Sequence, residues 1–441
     1  MGCNRIIAAL VIVLLITPLF LPVAYARYTA RNRIISNPVK SGQLLPWGSG
    51  RIASFGDLSA FLYRTESAGD WLYVYDGSGN DSHVPLPDLF DPGDSANADY
   101  VLTSPTDLWI MSGVTGRAVL RHFRLFTSGT SQLPDRAERV LKTSVGDHDT
   151  QPGALLKLAS GGLFGVWHQF RQYPDKHLEI GFFYVSPKGG APAYYMFSVP
   201  GKEGTPVAAR CALVQHPADG SIWTFFKRDS YHEISALHLT ETAKGIQLDW
   251  IKPDFIGRND GGHEPEGEFP YLAAVADSIH KTIILAYQNN RYEIMYVTDG
   301  DGNIVNGNCG QGSFHRMEPY FFAKRSRVSI MRVTADGRKT FQDFPGFVER
   351  AQEFGLSFSD RLWVLYRPID CETTNYEMLQ RHGEVMLRYQ NGEWNEPLLL
   401  GKLGAEKDYY ASSLFYAPYQ PHFLMRLDDG LLHLFEATPS P

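Results

Sequence analysis

Apolar and polar residues alternate along this chain in short runs of four to eight, and turn residues separate the runs. Stretches with a helical 3.6-residue period are scarce. The segments 154–158, 163–168, 178–185 and 194–199 read as four successive strands. Ser160-Gly161-Gly162 and Pro187-Lys188-Gly189-Gly190 supply two of the turns between them. The pattern returns at 212–216, 221–227, 233–239 and 247–251, with Asp219-Gly220 and Lys244-Gly245 at the corresponding turns. A third copy begins at Pro270-Tyr271-Leu272 and continues through 283–287 and 293–298. Further strand pairs are 58–64 with 71–76, 107–112 with 119–126, 361–367 with 384–389, and 423–427 with 431–435.

The second strands of the three clearest copies start at Leu163, Ser221 and Ile283, which are 58 and 62 residues apart. A four-stranded unit cannot bury both its faces alone, so units of this length stack radially. The pattern therefore predicts an all-β chain folded as a seven-bladed β-propeller of four-stranded antiparallel blades. Two stacked sandwiches are the alternative that short strands with regular turns also allow.

Composition narrows the class. The 441 residues include 41 glycines and 27 prolines, and 44% are hydrophobic with 13% aromatic. So many rings and apolar groups exclude intrinsic disorder, and the turn residues match the many hairpins. The net charge of −7 gives no support to general nucleic-acid binding, which needs basic surface. A local basic rim stays open, with Lys227, Arg228, Arg258, Arg291, Lys324, Arg325 and Arg327 as its candidates.

The first 26 residues read differently. Arg5 precedes an apolar run, and Ala24-Tyr25-Ala26 forms a small-x-small cleavage pattern. The run is short for a membrane span, and Pro18 and Pro22 weaken its end. The expectation is a secretory signal over 1–26 and one propeller domain over 27–441, in a secreted or periplasmic monomer that is not membrane-bound after cleavage. Removal of the leader leaves Cys211, Cys309 and Cys371, enough for at most one disulfide. Cys309 with His315 is a fragment of a zinc pattern but matches no strong one, so neither a metal nor another cofactor is expected.

One turn is more specific. Thr334-Ala335-Asp336-Gly337-Arg338-Lys339-Thr340-Phe341 resembles the Asp box, Ser-x-Asp-x-Gly-x-Thr-Trp, with Arg338 in place of the expected Gly and conservative changes at both ends. Asn391-Gly392-Glu393-Trp394 and Thr298-Asp299-Gly300-Asp301-Gly302 look like degenerate copies; a plain hairpin turn suits Asp299 and Asp301 better than a calcium site. On these features the chain resembles the BNR-repeat, sialidase-like propellers.

Candidate chemistry sits where inner strands begin and second strands end. Asp147-His148-Asp149-Thr150-Gln151-Pro152 precedes a first strand, and His168 closes the second strand of the same unit. Histidine titrates near neutrality and serves as acid or base. This arrangement resembles the propeller-type polysaccharide lyases, notably the ulvan lyases. In them a paired histidine is followed by an arginine ending the next second strand and by a tyrosine opening the inner strand after that. Arg228 and Tyr271 stand at those places, but the stretch 208–212 lacks a tyrosine that those lyases also carry.

The resemblance implies an anionic uronate polysaccharide as substrate and β-elimination as reaction. Arg228 would pair with the uronate carboxylate, His148 or Tyr271 would act as base or acid, and His168 would help hold the carboxylate. Lys227, His263 and Arg291 complete the candidate binding set. A glycoside hydrolase of the same propeller type would instead need paired carboxylates, with Asp147, Asp149, Glu264 and Glu266 nearest to hand. A true sialidase fits less well, since no arginine triad can be assigned. A non-catalytic carbohydrate-binding propeller is the third reading.

Overall fold

The computed structural model describes residues 28–439 apart from 36–42, 46, 49–50, 66–68, 88, 90–96, 115–116, 130–131, 146–149, 172–176, 199–209, 228–232, 258, 266–271, 297–314, 318–319, 350–353, 367–383, 403–413 and 430. Among the described residues there are strands and turns and no helix.

The chain enters through β1 (Tyr28–Ile34), which joins the last sheet. The next strands are β2 (Gln43–Leu45), β3 (Trp47–Gly48), β4 (Ala53–Phe55), β5 (Leu58–Thr65), β6 (Gly69–Tyr75) and β7 (Asp81–Pro85). Both β2 and β4 pair with β5, and β6 and β7 follow antiparallel to complete blade 1. Blade 2 is β8 (Asn97–Ser104), β9 (Asp107–Val114), β10 (Arg117–Phe126) and β11 (Arg136–Val145), with β3 parallel beside β8. Blade 3 is β12 (Thr150–Lys157), β13 (Leu163–Arg171), β14 (His177–Val185) and β15 (Ala193–Ser198). Blade 4 is β16 (Arg210–Gln215), β17 (Ile222–Lys227), β18 (Ile234–Thr242) and β19 (Gly245–Ile256).

Blade 5 contains β20 (Leu272–Asp277), β21 (Thr282–Tyr296), β22 (His315–Met317), β23 (Tyr320–Val333) and β24 (Lys339–Glu349). Blade 6 contains β25 (Gly355–Phe358), β26 (Leu362–Tyr366), β27 (Glu384–Asn391), β28 (Glu393–Trp394) and β29 (Leu398–Lys402). Blade 7 is β30 (Leu414–Tyr416), β31 (His422–Arg426) and β32 (Leu432–Pro439), with β1 as its outermost strand. The seven sheets make the predicted seven-bladed propeller.

Strand alternation gives each blade two apolar faces, and each face packs on a neighbouring blade. Phe164 and Val166 of blade 3 meet Leu213, Ile222 and Phe226 of blade 4. Trp223 and Phe225 of blade 4 meet Leu285, Tyr287 and Met331 of blade 5. The core is therefore a ring of inter-blade layers.

Blade 5 departs from the sequence reading. The expected separate strand over 293–298 is the continuation of β21, which runs unbroken to Tyr296 and pairs with β23. The polar residues read as a turn lie in a bulge between Gln288 and Tyr292. A bulge absorbs extra residues without reversing the chain, so polarity alone mimics a turn there.

The 334–341 motif does form the β23–β24 hairpin. Thr334 and Arg338 are both bonded to the Asp336 carboxylate, the latter at 2.7 Å, and Gly337 takes a φ of 80° at the turn. Phe341 packs inward against the blade 4–blade 5 core.

Candidate functional site

The inner strands β4, β8, β12, β16, β20, β25 and β30 neighbour one another around the axis. Each second strand runs antiparallel to its inner strand, so one mouth of the ring collects the starts of inner strands and the ends of second strands. That upper mouth is where the sequence placed its candidates. The lower mouth carries the tight turns between first and second strands.

Side chains at the start of the inner strands tie blades 1, 2 and 3 together. Arg51, leading into blade 1, donates through Nη1 to the Leu155 carbonyl of blade 3 at 2.6 Å. Asp99 of blade 2 lies 3.7 Å from the same guanidinium nitrogen and accepts the Leu155 N–H at 2.6 Å. The Arg51 carbonyl in turn accepts the Tyr100 hydroxyl at 2.5 Å. Desolvation works against the Arg51 cation, but Asp99 and nearby tyrosines more than offset it and raise its pKa. Further along β12, the Lys157 ammonium stands 3.9 Å from the centre of the Phe55 ring on blade 1. These contacts join blade 1 to blades 2 and 3. Arg51, Asp99 and Tyr100 escaped the sequence reading, because nothing in their local runs shows that they meet across the axis.

His168 lies near the upper end of β13, opposite Gln151 on β12 and Ile180 on β14. Alternation places it on the face of Phe164 and Val166, toward blade 4. It is 4% exposed, and among the described residues neither ring nitrogen has a hydrogen-bond partner. Burial pushes its pKa down to about 4, so the ring is neutral at physiological pH. A buried imidazole normally bonds at least one nitrogen; this one holds a donor and an acceptor in reserve.

Similar buried polar groups stand on three other second strands. Ser112 and Lys227, near the upper ends of β9 and β17, and Gln288 and Asn289, level with the start of β20, are each essentially inaccessible. The fully buried Arg121 bonds Ser112 from β10. Lys227 thus ends β17 as expected, but as a buried residue whose alternation turns it toward blade 5. The sequence signal for the unremarked members is the same in each case: a polar residue terminating an apolar strand, as Ser112 does after Leu108-Trp109-Ile110-Met111.

His263 is placed away from His168, on the connection from β19 to blade 5. Its Nδ1 lies 2.9 Å from the Ser329 hydroxyl and 3.5 Å from Asp343, and its ring stacks on Phe341 at 4.8 Å. Tyr287 donates to its carbonyl at 2.7 Å, and Asn289 donates to Ser329 at 3.0 Å. These bonds fasten the loop to blade 5. Arg291 lies on β21 just above the blade body. His148, Tyr271 and Arg228 fall outside the described residues, as do Asp147, Asp149, Glu266, Arg258, Cys309, Cys371 and the proposed leader. The described Cys211 is not in a disulfide, and desolvation pushes its thiol up to about 12, which makes it unreactive. Among the described residues, no three His, Cys, Asp or Glu side chains gather to hold a metal ion.

No family model matches the chain, and no curated protein matches it. The BNR-repeat resemblance therefore rests on the 334–341 turn. Among solved structures, the chain is similar to an oligogalacturonate lyase in complex with manganese, with a TM-score of 0.51 and 9% identity over 94% of this chain and 98% of that one. It is similar to polysaccharide lyase Uly1 with a TM-score of 0.44 and 10% identity, over 93% and 98% of the two chains. A PL25 ulvan lyase gives a TM-score of 0.43 and 9% identity over 89% and 93%. At such identities the likeness is one of fold alone.

Proposed function

We propose that the protein is a secreted polysaccharide lyase that cleaves a uronate-containing, ulvan-like rhamnose–glucuronate chain by β-elimination at the upper mouth. The observation that supports this reading is His168: a neutral histidine near the upper end of β13 whose two ring nitrogens have no hydrogen-bond partner among the described residues. A group kept neutral can donate one hydrogen bond to a carboxylate without itself needing a counter-ion.

In this reading Arg228 pairs with the uronate carboxylate and lowers the cost of charge building up at the adjacent carbon. His148 or Tyr271 removes the C5 proton, the bond from C4 to the glycosidic oxygen breaks, and a C4–C5 double bond forms. The departing oxygen takes a proton from the other of those two groups.

The test is incubation of the purified protein with ulvan, polygalacturonate and a neutral polysaccharide, following ultraviolet absorbance of the unsaturated uronate and new reducing ends together. Both signals should rise with an acidic polymer. Reducing ends without the absorbance would mean hydrolysis, and the lyase reading would be lost. Binding without either signal would leave a carbohydrate-binding propeller.

A further inference from the structure

Each blade ends in an outermost strand whose far edge has no ladder partner among the described residues: β7, β11, β15, β19, β24, β29 and β1. Six of these strands carry at least one charged residue, such as Asp81 on β7, Lys142 on β11 and Lys402 on β29. Charge on an edge discourages another chain from adding a strand there. The exception is β15, Ala193-Tyr194-Tyr195-Met196-Phe197-Ser198. It carries no charge and no proline, and no Asp, Glu, Lys or Arg stands between Lys188 and Lys202. Its register with β14 is unbroken from Ala193 to Ser198, so no bulge turns the edge away either.

The side chains of β15 divide by alternation. Tyr195 and Phe197 pack against the layer between blades 3 and 4. Tyr194 and Met196 lie on the opposite face, 46% and 45% exposed. An uncharged, exposed edge with a ring and a thioether on one face is complementary to itself. Laid antiparallel about Tyr195, two copies set Tyr194 of each against Met196 of the other, and Ala193 against Phe197. Sulfur beside an aromatic ring is a favourable contact, and such cross-strand pairs are the unit that stabilises a sheet. Pairing β15 with a different outermost strand would set a charged strand against it and leave the partner's own β15 open. The two-fold arrangement uses up the edge of both copies, so assembly stops at two.

We propose that the outer edge of blade 3 is the contact surface for a second copy of this chain, which adds its own β15 antiparallel about Tyr195. The proposal departs from the monomer expected from the sequence, and it does not rest on the lyase reading. β15 is the strand of blade 3 farthest from β12, so the pairing leaves the inner-strand ends unoccupied. One strand of six residues falls short of the 20–30 residues and about 800 Å² per partner of a standard interface. Association is therefore in the micromolar range.

Sedimentation velocity of the purified protein over a concentration series tests this. The wild type should pass from the mass of one chain at about 1 μM toward that of two at about 200 μM. Tyr194→Lys/Met196→Lys and Tyr194→Glu/Met196→Glu set like charges opposite each other, so each alone should associate at least about tenfold more weakly. Both positions are exposed, and unchanged near-ultraviolet circular dichroism would verify that the blades stay folded. An equal mixture of the two variants should associate again at low salt, because lysine then faces glutamate across the two-fold axis. A wild type that keeps the mass of one chain throughout would overturn the proposal. So would a Tyr194→Lys/Met196→Lys variant that associates as the wild type does, or a mixture that stays apart.

Discussion

Arg51 reaches the Leu155 carbonyl two blades away at 2.6 Å, with the Asp99 carboxylate 3.7 Å from the same nitrogen. Asp99 is 1% exposed, so its charge depends on neighbours rather than on water. Replacing the cation by an apolar chain of similar length removes a donor from Leu155 and a counter-charge from Asp99 together. Arg51→Met should cost about 2–4 kcal/mol of stability. Urea unfolding with an unchanged m-value would measure it. In Arg51→Met/Asp99→Asn the loss should be less than the sum of the single losses by at least about 0.5 kcal/mol. Strict additivity would mean that the two side chains do not act on each other.

His168 gives the fold a pH dependence whose sign follows from its burial. Its folded pKa of about 4 lies below the ordinary value of 6.5. Between those values the unfolded chain binds more protons than the folded one, so stability rises with pH through that window. It is complete above about pH 6.5, falls as the pH drops toward 4, and levels off below. The full difference for one such group is about 3 kcal/mol. His168→Phe should flatten the stability profile between pH 4 and 6.5 by about that amount, measured by urea unfolding against wild type. Parallel profiles would show that the imidazole takes up its proton without penalty.

Gly181 on β14 lies directly opposite Trp167 on β13, and a Cβ at that position would enter the indole ring. Trp167 is fully buried against the blade 2–blade 3 core and cannot swing outward freely. Gly181→Ala should therefore cost about 1–3 kcal/mol through overpacking. A variant as stable as wild type, with unaltered near-ultraviolet circular dichroism, would place the glycine among tolerant positions.

The blades were legible because a four-strand pattern with its turns depends on local alternation, as the matches at β12 to β15 and β16 to β19 illustrate. The extension of β21 was not, since Gln288 to Arg291 has turn-like polarity while its pairing is decided by β23, some forty residues on. His168 could be singled out from its place at a strand end. Its two unengaged nitrogens could not, because they depend on what blade 4 fails to offer. Arg51 was invisible for the opposite reason: its value comes from three blades converging on an axis that no local window contains. Lys227 stands between these cases, correctly placed at the end of β17 yet buried where an exposed cation was expected.

Tyr28 shows how the ring is fastened, and its removal gives a directional prediction. Its ring lies 5.1 Å from Trp363 and 5.2 Å from Tyr389, with the Arg361 guanidinium 4.2 Å above it. Its hydroxyl donates to Asp360 at 2.9 Å. Burial opposes the Asp360 charge, but bonds from Arg361, Tyr28 and Ser359 hold the carboxyl down to about 2. On the other side of the same strand, Arg33 bonds Asp81 of blade 1 at 2.6 Å, so β1 ties blades 6, 7 and 1. Tyr28→Phe loses only a partly exposed hydrogen bond and should cost about 0.5 kcal/mol, whereas Tyr28→Ala loses the ring contacts and should cost about 2 kcal/mol. Because β1 is an outer strand whose partner β32 lies about 400 residues away, the loss should appear first as local opening. Hydrogen exchange in Tyr28→Ala should accelerate in 28–34 and 432–439 while the inner strands β12 and β16 keep their protection. Acceleration spread evenly over all seven blades would show instead that β1 opens only when the whole propeller unfolds.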